Sequence, residues 1–143
     1  MPTVECIPNV SEGRDQAVLD ACGDAIRHAG ARLLDVKPDA AHHRTVFSFA
    51  GEPPAVKAAV LALFETALAR IDLRRHSGEH PRLGAVDVVP FVPIEGVAMA
   101  DCVAMARTVA TEVATRHNLP VFLYEEAAAI PTRRNLEALG YLQ

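Results

Sequence analysis

The segment Arg74-Arg-His-Ser-Gly-Glu-His-Pro-Arg82 is the most polar stretch of the chain, and it lies between two strongly apolar ones. It holds two of the six histidines, one glutamate and three arginines. Imidazole, with an ordinary pKa of about 6.5, can take up and return a proton near neutral pH. Guanidinium groups bind carboxylates through two parallel hydrogen bonds. A loop of this kind on a rigid scaffold is where reactive groups tend to be placed. The same residues spell H-x-x-E-H, as His76-Ser-Gly-Glu-His80, the inverted zinc-peptidase signature. Zinc chemistry of that type needs both histidines on one face of a helix. Gly78 inside the motif and Pro81 directly after it oppose that helix, because proline disfavours the α conformation at the residue before it and glycine costs about 1 kcal/mol. No metal is therefore expected.

The other histidines carry less chemistry. His42 and His43 are neighbours entering an expected strand, so their side chains should point to opposite faces and cannot chelate together. His28 and His117 fall in the last turns of expected helices, where a partly charged ring suits the helix dipole.

The elements that must hold this loop alternate along the chain. Residues 3–7 read as a strand, followed by a turn-rich stretch at 8–14. Val18, Leu19, Cys22 and Ile26 recur at helical spacing within residues 15–29, and Gly30 supplies a stop. Residues 32–36 and 45–50 read as strands. A second helix starts near Pro53 and buries Val56, Val60, Leu63, Phe64, Ala67 and Ile71. The polar loop, residues 73–84, leads into a strand at 86–92 that must lie at an edge or bend, since Pro90 cannot donate to a ladder. Met99, Val103, Ala106, Val109, Ala110 and Val113 mark a third helix ending near Asn118. A last strand is expected at 120–124 and a short helix at 132–139. The expected fold is α+β: a ferredoxin-like βαββαβ core with an additional strand and helices, in a mixed sheet with helices packed on one face.

At 143 residues, with 50% apolar and 22% charged residues, the chain fits one ordinary globular domain. A net charge of −4 offers no basic face to nucleic acid. No apolar run reaches the roughly 18 residues of a membrane helix, and the start has no signal-peptide pattern, so no membrane is expected and a cytoplasmic location is. Cys6, Cys22 and Cys102 are odd in number and widely spaced, which suits small core residues better than disulfides or a thiolate metal site.

Several strings resemble the formiminotransferase domain of glutamate formiminotransferases and formiminotransferase-cyclodeaminases. They are Glu5-Cys-Ile-Pro-Asn-Val-Ser-Glu-Gly-Arg14, Leu33-Leu-Asp35, Arg44-Thr-Val46, the long run from Arg75 to Pro93, and Leu123-Tyr-Glu-Glu-Ala-Ala128 with Arg133 and Arg134 behind it. The G-E-H-P-R-x-G-A-x-D segment, Gly78 to Asp87, is the most specific of them. The resemblance implies transfer of a formimino group from N-formiminoglutamate to tetrahydrofolate, which is a co-substrate, with His80 as general acid and base. It also implies two α/β subdomains with folate in a tunnel between them, of which this chain is the first. The partner is then a separate second-subdomain chain or a second copy.

The reaction sets the remaining candidates. An amine attacks the amidine carbon, a tetrahedral intermediate forms, and the glutamate amine leaves. One proton departs from the attacking nitrogen and one reaches the leaving nitrogen, as a group with pKa near working pH can arrange. Glu79 or Asp87 could hold the imidazole tautomer. Arg14, Arg44 and Arg82 suit the carboxylates of the donor, and Asp35, Asp39 or Glu125 suit its cationic amidinium. Asn9 completes the substrate-binding candidates. Position 43, commonly asparagine in the family, is histidine here. A non-catalytic folate- or partner-binding module is the alternative reading.

Overall fold

The computed structural model describes residues 2–71, 85–86 and 88–118. In order, the elements are β1 (Thr3–Cys6), β2 (Asn9–Val10), α1 (Gln16–His28), β3 (Arg32–Asp39), β4 (Arg44–Gly51), α2 (Pro53–Arg70), β5 (Phe91–Glu95) and α3 (Met99–His117). The fold is α+β, as expected. The expected strand at 120–124, the helix at 132–139 and the loop at 73–84 lie outside the described residues.

β4 is the central strand. It pairs with β3 along one side and with β1 and then β2 along the other, while β5 pairs with the far side of β1. All of these pairings are antiparallel. Each of α1 and α2 therefore joins two strands running the same way with one opposed strand between them. β1 and β2 keep one register against β4 and are separated by Ile7 and Pro8. Proline has no N–H to give the ladder, and its carbonyl accepts from Phe47 N–H at 3.0 Å instead.

Period-two alternation divides the sheet into two faces. Val4, Cys6, Val10, Thr45, Phe47 and Phe49 are buried on one side. The three helices cover that side with Val18, Leu19, Cys22 and Ile26 of α1, Val56, Val60, Leu63 and Ala67 of α2, and Cys102, Val109 and Val113 of α3. α2 is apolar nearly all round because it lies between α1 and α3 as well as on the sheet. Met99, one of the residues expected to mark α3, is 49% exposed at the first residue of the helix. All three cysteines are free and buried.

The helix ends follow local chemistry. The Asp15 carboxylate accepts from Ala17 and Val18 N–H at the start of α1. Gly30, with φ of 102°, turns the chain out of it. Asn118 closes α3 in the left-handed region, with Arg116 and His117 in its last turn.

Two boundaries differ from the sequence reading. β3 runs on to Asp39, past Pro38, which an edge strand tolerates. The expected strand at 86–92 is shifted to Phe91–Glu95. Ahead of it, the chain still tracks its neighbour through Ile7 N–H to Pro90 O, Asn9 N–H to Val88 O and Ser11 N–H to Ala85 O. Pro90 interrupts regular strand geometry there without ending the pairing.

Candidate active site

The polar residues singled out above gather mostly at one end of the sheet, and two loops build that end. One is the segment between β2 and α1; the other is the turn between β3 and β4. The first is shaped by Glu12, whose Oε2 accepts from the N–H groups of Arg14 and Asp15, both at 3.0 Å. These bonds bring the chain round to the Asp15 cap of α1.

The second loop is locked to the first. Gly13 N–H donates to Nδ1 of His43 at 3.1 Å, Thr45 Oγ1 donates to the carbonyl of Glu12, and Arg14 Nε donates to the carbonyl of Ala40 at 2.9 Å. Ser11, Glu12, His43 and Thr45 are all buried, although each is polar. Gly13 sits so close to the turn that a Cβ there would lie 2.7 Å from Arg44 N and against the carbonyl of Asp39. Only glycine fits. His43 is left-handed, with φ of 54°, a conformation open to few residues with side chains.

That geometry revises the reading of the histidine pair. His42 and His43 occupy a turn and do not enter the strand, which begins at Arg44. They still face different partners among the described residues. His42 Nδ1 lies 2.6 Å from Asp39 Oδ2, and His43 faces Gly13 and Glu12. The Asp39 carboxyl also accepts from His42 N–H, and this backbone bond, above all, holds it below the usual carboxylate range.

Asn9, Asp39 and Arg44 all lie on the sheet face opposite the helices. Asp39 is directly opposed to Arg44, and Asn9 to Val46. Asp39 is engaged by His42, and among the described residues no ion pair joins it to Arg44. The Asn9 Oδ1 is buried and, among the described residues, has no hydrogen-bond partner. Arg14 reaches the same end through Ala40. Asp35 shares the face but is opposed to Ser48, four residues along β4 from Arg44, or about 13 Å at strand rise. Its carboxylate accepts from Val36 N–H and pairs with Lys37 at 3.4 Å. Asp35 is thus apart from the other four. His80, Glu79, Arg82, Glu125 and Asp87 lie outside the described residues.

Glu12 and His43 are the residues that sequence reasoning gave no role in the site. A buried acid between two loops has no periodicity to betray it. The available signal was the Glu12-Gly13 pair immediately ahead of a helix cap, where an acidic side chain next to glycine can fold back on its own backbone. Among the described residues, no group of three or more His, Cys, Asp or Glu is placed to hold a metal ion. No helix of the described residues is long and apolar enough to cross a membrane.

The chain is similar to proteins from widely separated organisms. It is 47% identical over 137 residues to the formimidoyltransferase-cyclodeaminase of Rattus norvegicus, a match covering 95% of this chain and 25% of that protein. It is 44% identical over 134 residues to the glutamate formimidoyltransferase of Streptococcus pyogenes serotype M1, covering 93% of this chain and 45% of the relative. With the glutamate formimidoyltransferase of Thermoplasma acidophilum it shares 41% identity over 140 residues, 97% of this chain and 46% of the relative. The chain thus spans from a quarter to just under half of these relatives. The family model described as "Formiminotransferase domain, N-terminal subdomain" matches residues 3–140, and the chain belongs to that family.

Proposed function

We propose that this chain is one half of a glutamate formimidoyltransferase-type enzyme that moves a formimino group from N-formiminoglutamate to tetrahydrofolate. The observation that carries the reading is the family match across residues 3–140, which includes the whole Gly78–Asp87 string around His80. The geometry adds support. Asn9, Arg14 and Arg44 collect at the end of the sheet where Ala85 meets Ser11.

In this mechanism the His80 imidazole takes the proton from the attacking N5 nitrogen as the tetrahedral carbon forms. It returns a proton to the departing glutamate nitrogen as that carbon collapses. Such a group typically contributes ~10²–10⁴-fold. The Arg44 guanidinium, free of an ion pair among the described residues, suits a substrate carboxylate, with Arg14 and Arg82 as its companions. The unpartnered Asn9 Oδ1 suits an N–H of the amidinium or of the pterin. Of the acids offered to the amidinium, Asp39 is already held by His42 and Asp35 lies along the strand, which favours Glu125.

The test combines N-formiminoglutamate, tetrahydrofolate and this chain, with and without a second-subdomain polypeptide. His80→Ala should lower turnover by roughly 10²-fold or more in every mixture that is active. Equal rates for wild type and variant would remove His80 from the mechanism. A second reading, a folate- or partner-binding module without turnover, is favoured by the 25–46% of each relative that the chain spans. Tight folate binding with no transfer in any mixture is its signature. Stoichiometric zinc in purified protein would instead revive the hydrolase reading of His76 and His80.

A further inference from the structure

Nδ1 of His43 faces two groups of opposite hydrogen-bonding character. The Gly13 N–H is aimed at it from 3.1 Å, and Glu12 Oε2 lies 3.4 Å away. A ring nitrogen serves one of these at a time: without a proton it accepts from an N–H, and with a proton it donates to a carboxylate. We propose that His43 is a proton-operated positioning residue, which as a neutral ring holds the Gly13 peptide and as a cation releases it to bond Glu12.

The surroundings turn this exchange of partners into movement of the site. Glu12 Oε2 already accepts from Arg14 and Asp15 N–H, so a third donor draws the carboxylate away from the bonds that open α1. The Gly13 peptide, once released, lies against the backbone of Arg44 with no spare room. Arg14 is anchored to Ala40 in the same turn as His43. Both arginines are therefore mechanically coupled to one buried ring. Among the described residues, the ionisable groups around it are Glu12 and Arg14 from the loop before α1, Asp39 from the end of β3, His42 from the turn and Arg44 from β4.

Asparagine at this position would accept from Gly13 through its Oδ1 and adopt the left-handed backbone readily, but it cannot titrate. His43→Asn is therefore the control that keeps the lock and removes the switch. The exchange of partners does not depend on the proposed reaction. Its effect on substrate does, through Arg14 and Arg44.

The experiment is a pH titration of the full ¹⁵N-labelled chain by NMR. The neutral His43 ring should show a proton on Nε2 and none on Nδ1. As the ring titrates, hydrogen exchange at Gly13, taken as a ratio to His43→Asn at each pH to cancel intrinsic chemistry, should rise about fivefold. A neutral ring protonated on Nδ1 would overturn the proposal without any variant. So would a flat ratio through the titration, or a His43 that stays neutral wherever the fold persists. In an active mixture with the second-subdomain polypeptide, KM for the donor should rise in acid for wild type more than for His43→Asn, with kcat changing alike. Absence of transfer in every mixture counts against the formimidoyltransferase reading and leaves the NMR outcome to decide the switch.

Discussion

Gly13 decides how closely the two site loops approach. A methyl group there meets backbone atoms of Asp39 and Arg44, which cannot rotate aside as a side-chain tip can. Gly13→Ala is expected to cost ~1–3 kcal/mol, read as a lower urea midpoint with an unchanged slope. A midpoint equal to wild type would show that the loops separate freely. Asp39 offers a second measurement. Its carboxyl lies below its ordinary value chiefly through the N–H of His42, with the His42 ring adding to the effect. The folded state thus favours the carboxylate. That contribution is complete above the unfolded value of about 3.9 and fades as pH falls through the lower folded value. In His42→Ala the backbone bond stays, so the Asp39 titration should move only part of the way back up. No movement would mean that the ring contributes nothing. Asn9, Arg14, Asp39 and Arg44 were open to proposal as candidates from residue type and motif. Glu12 and His43 were not, because a contact between loops 30 residues apart leaves no pattern in either.

Helical periodicity made α1 fully legible: Val18, Leu19, Cys22 and Ile26 were expected inside, and all are buried. β5 was misplaced because Val86 to Val92 has the apolar content of a strand, while Pro90 and the edge position decide where regular geometry begins. Met99 continues the apolar spacing of α3 but falls at its first residue, where no neighbour covers it. The cysteines give these elements a common probe. Cys6 is on β1, Cys22 on α1 and Cys102 on α3, so each reports the same interior from a different element. Burial pushes all three thiols up, Cys22 to about 11. At pH 8 neither thiolate nor access is available, so a disulfide reagent should modify the chain only as fast as it opens. Rapid modification of one cysteine in the native state would identify the element that detaches alone. Simultaneous slow modification of all three would show that sheet and helices open together.

At the scale of the whole molecule, the sheet face that no helix covers among the described residues is the feature still to be explained. Val92 is 36% and Ile94 57% exposed; Val92 is opposed to Glu5 on that face, Ile94 follows two residues along β5, and Asn9, Lys37 and Arg44 share the face. The helices cover the opposite face, so strand alternation turns every second residue of β1 and β4 outward here. Apolar groups interleaved with the candidate binding residues suit a surface that docks a partner. Under the proposed function its occupant is the second-subdomain polypeptide, since the chain spans only 25–46% of its relatives. Ile94→Glu should then weaken association with that polypeptide by roughly tenfold or more, measured by titration calorimetry, because a charge replaces an apolar contact at the interface. Arg107→Glu, on an exposed position of α3 behind the sheet, should leave association unchanged. Equal loss in both variants would point to long-range charge as the cause, and no loss in either would place the interface elsewhere. Loss in Ile94→Glu alone, with transfer activity falling in step, would tie the face that carries Asn9 and Arg44 to assembly of a working enzyme.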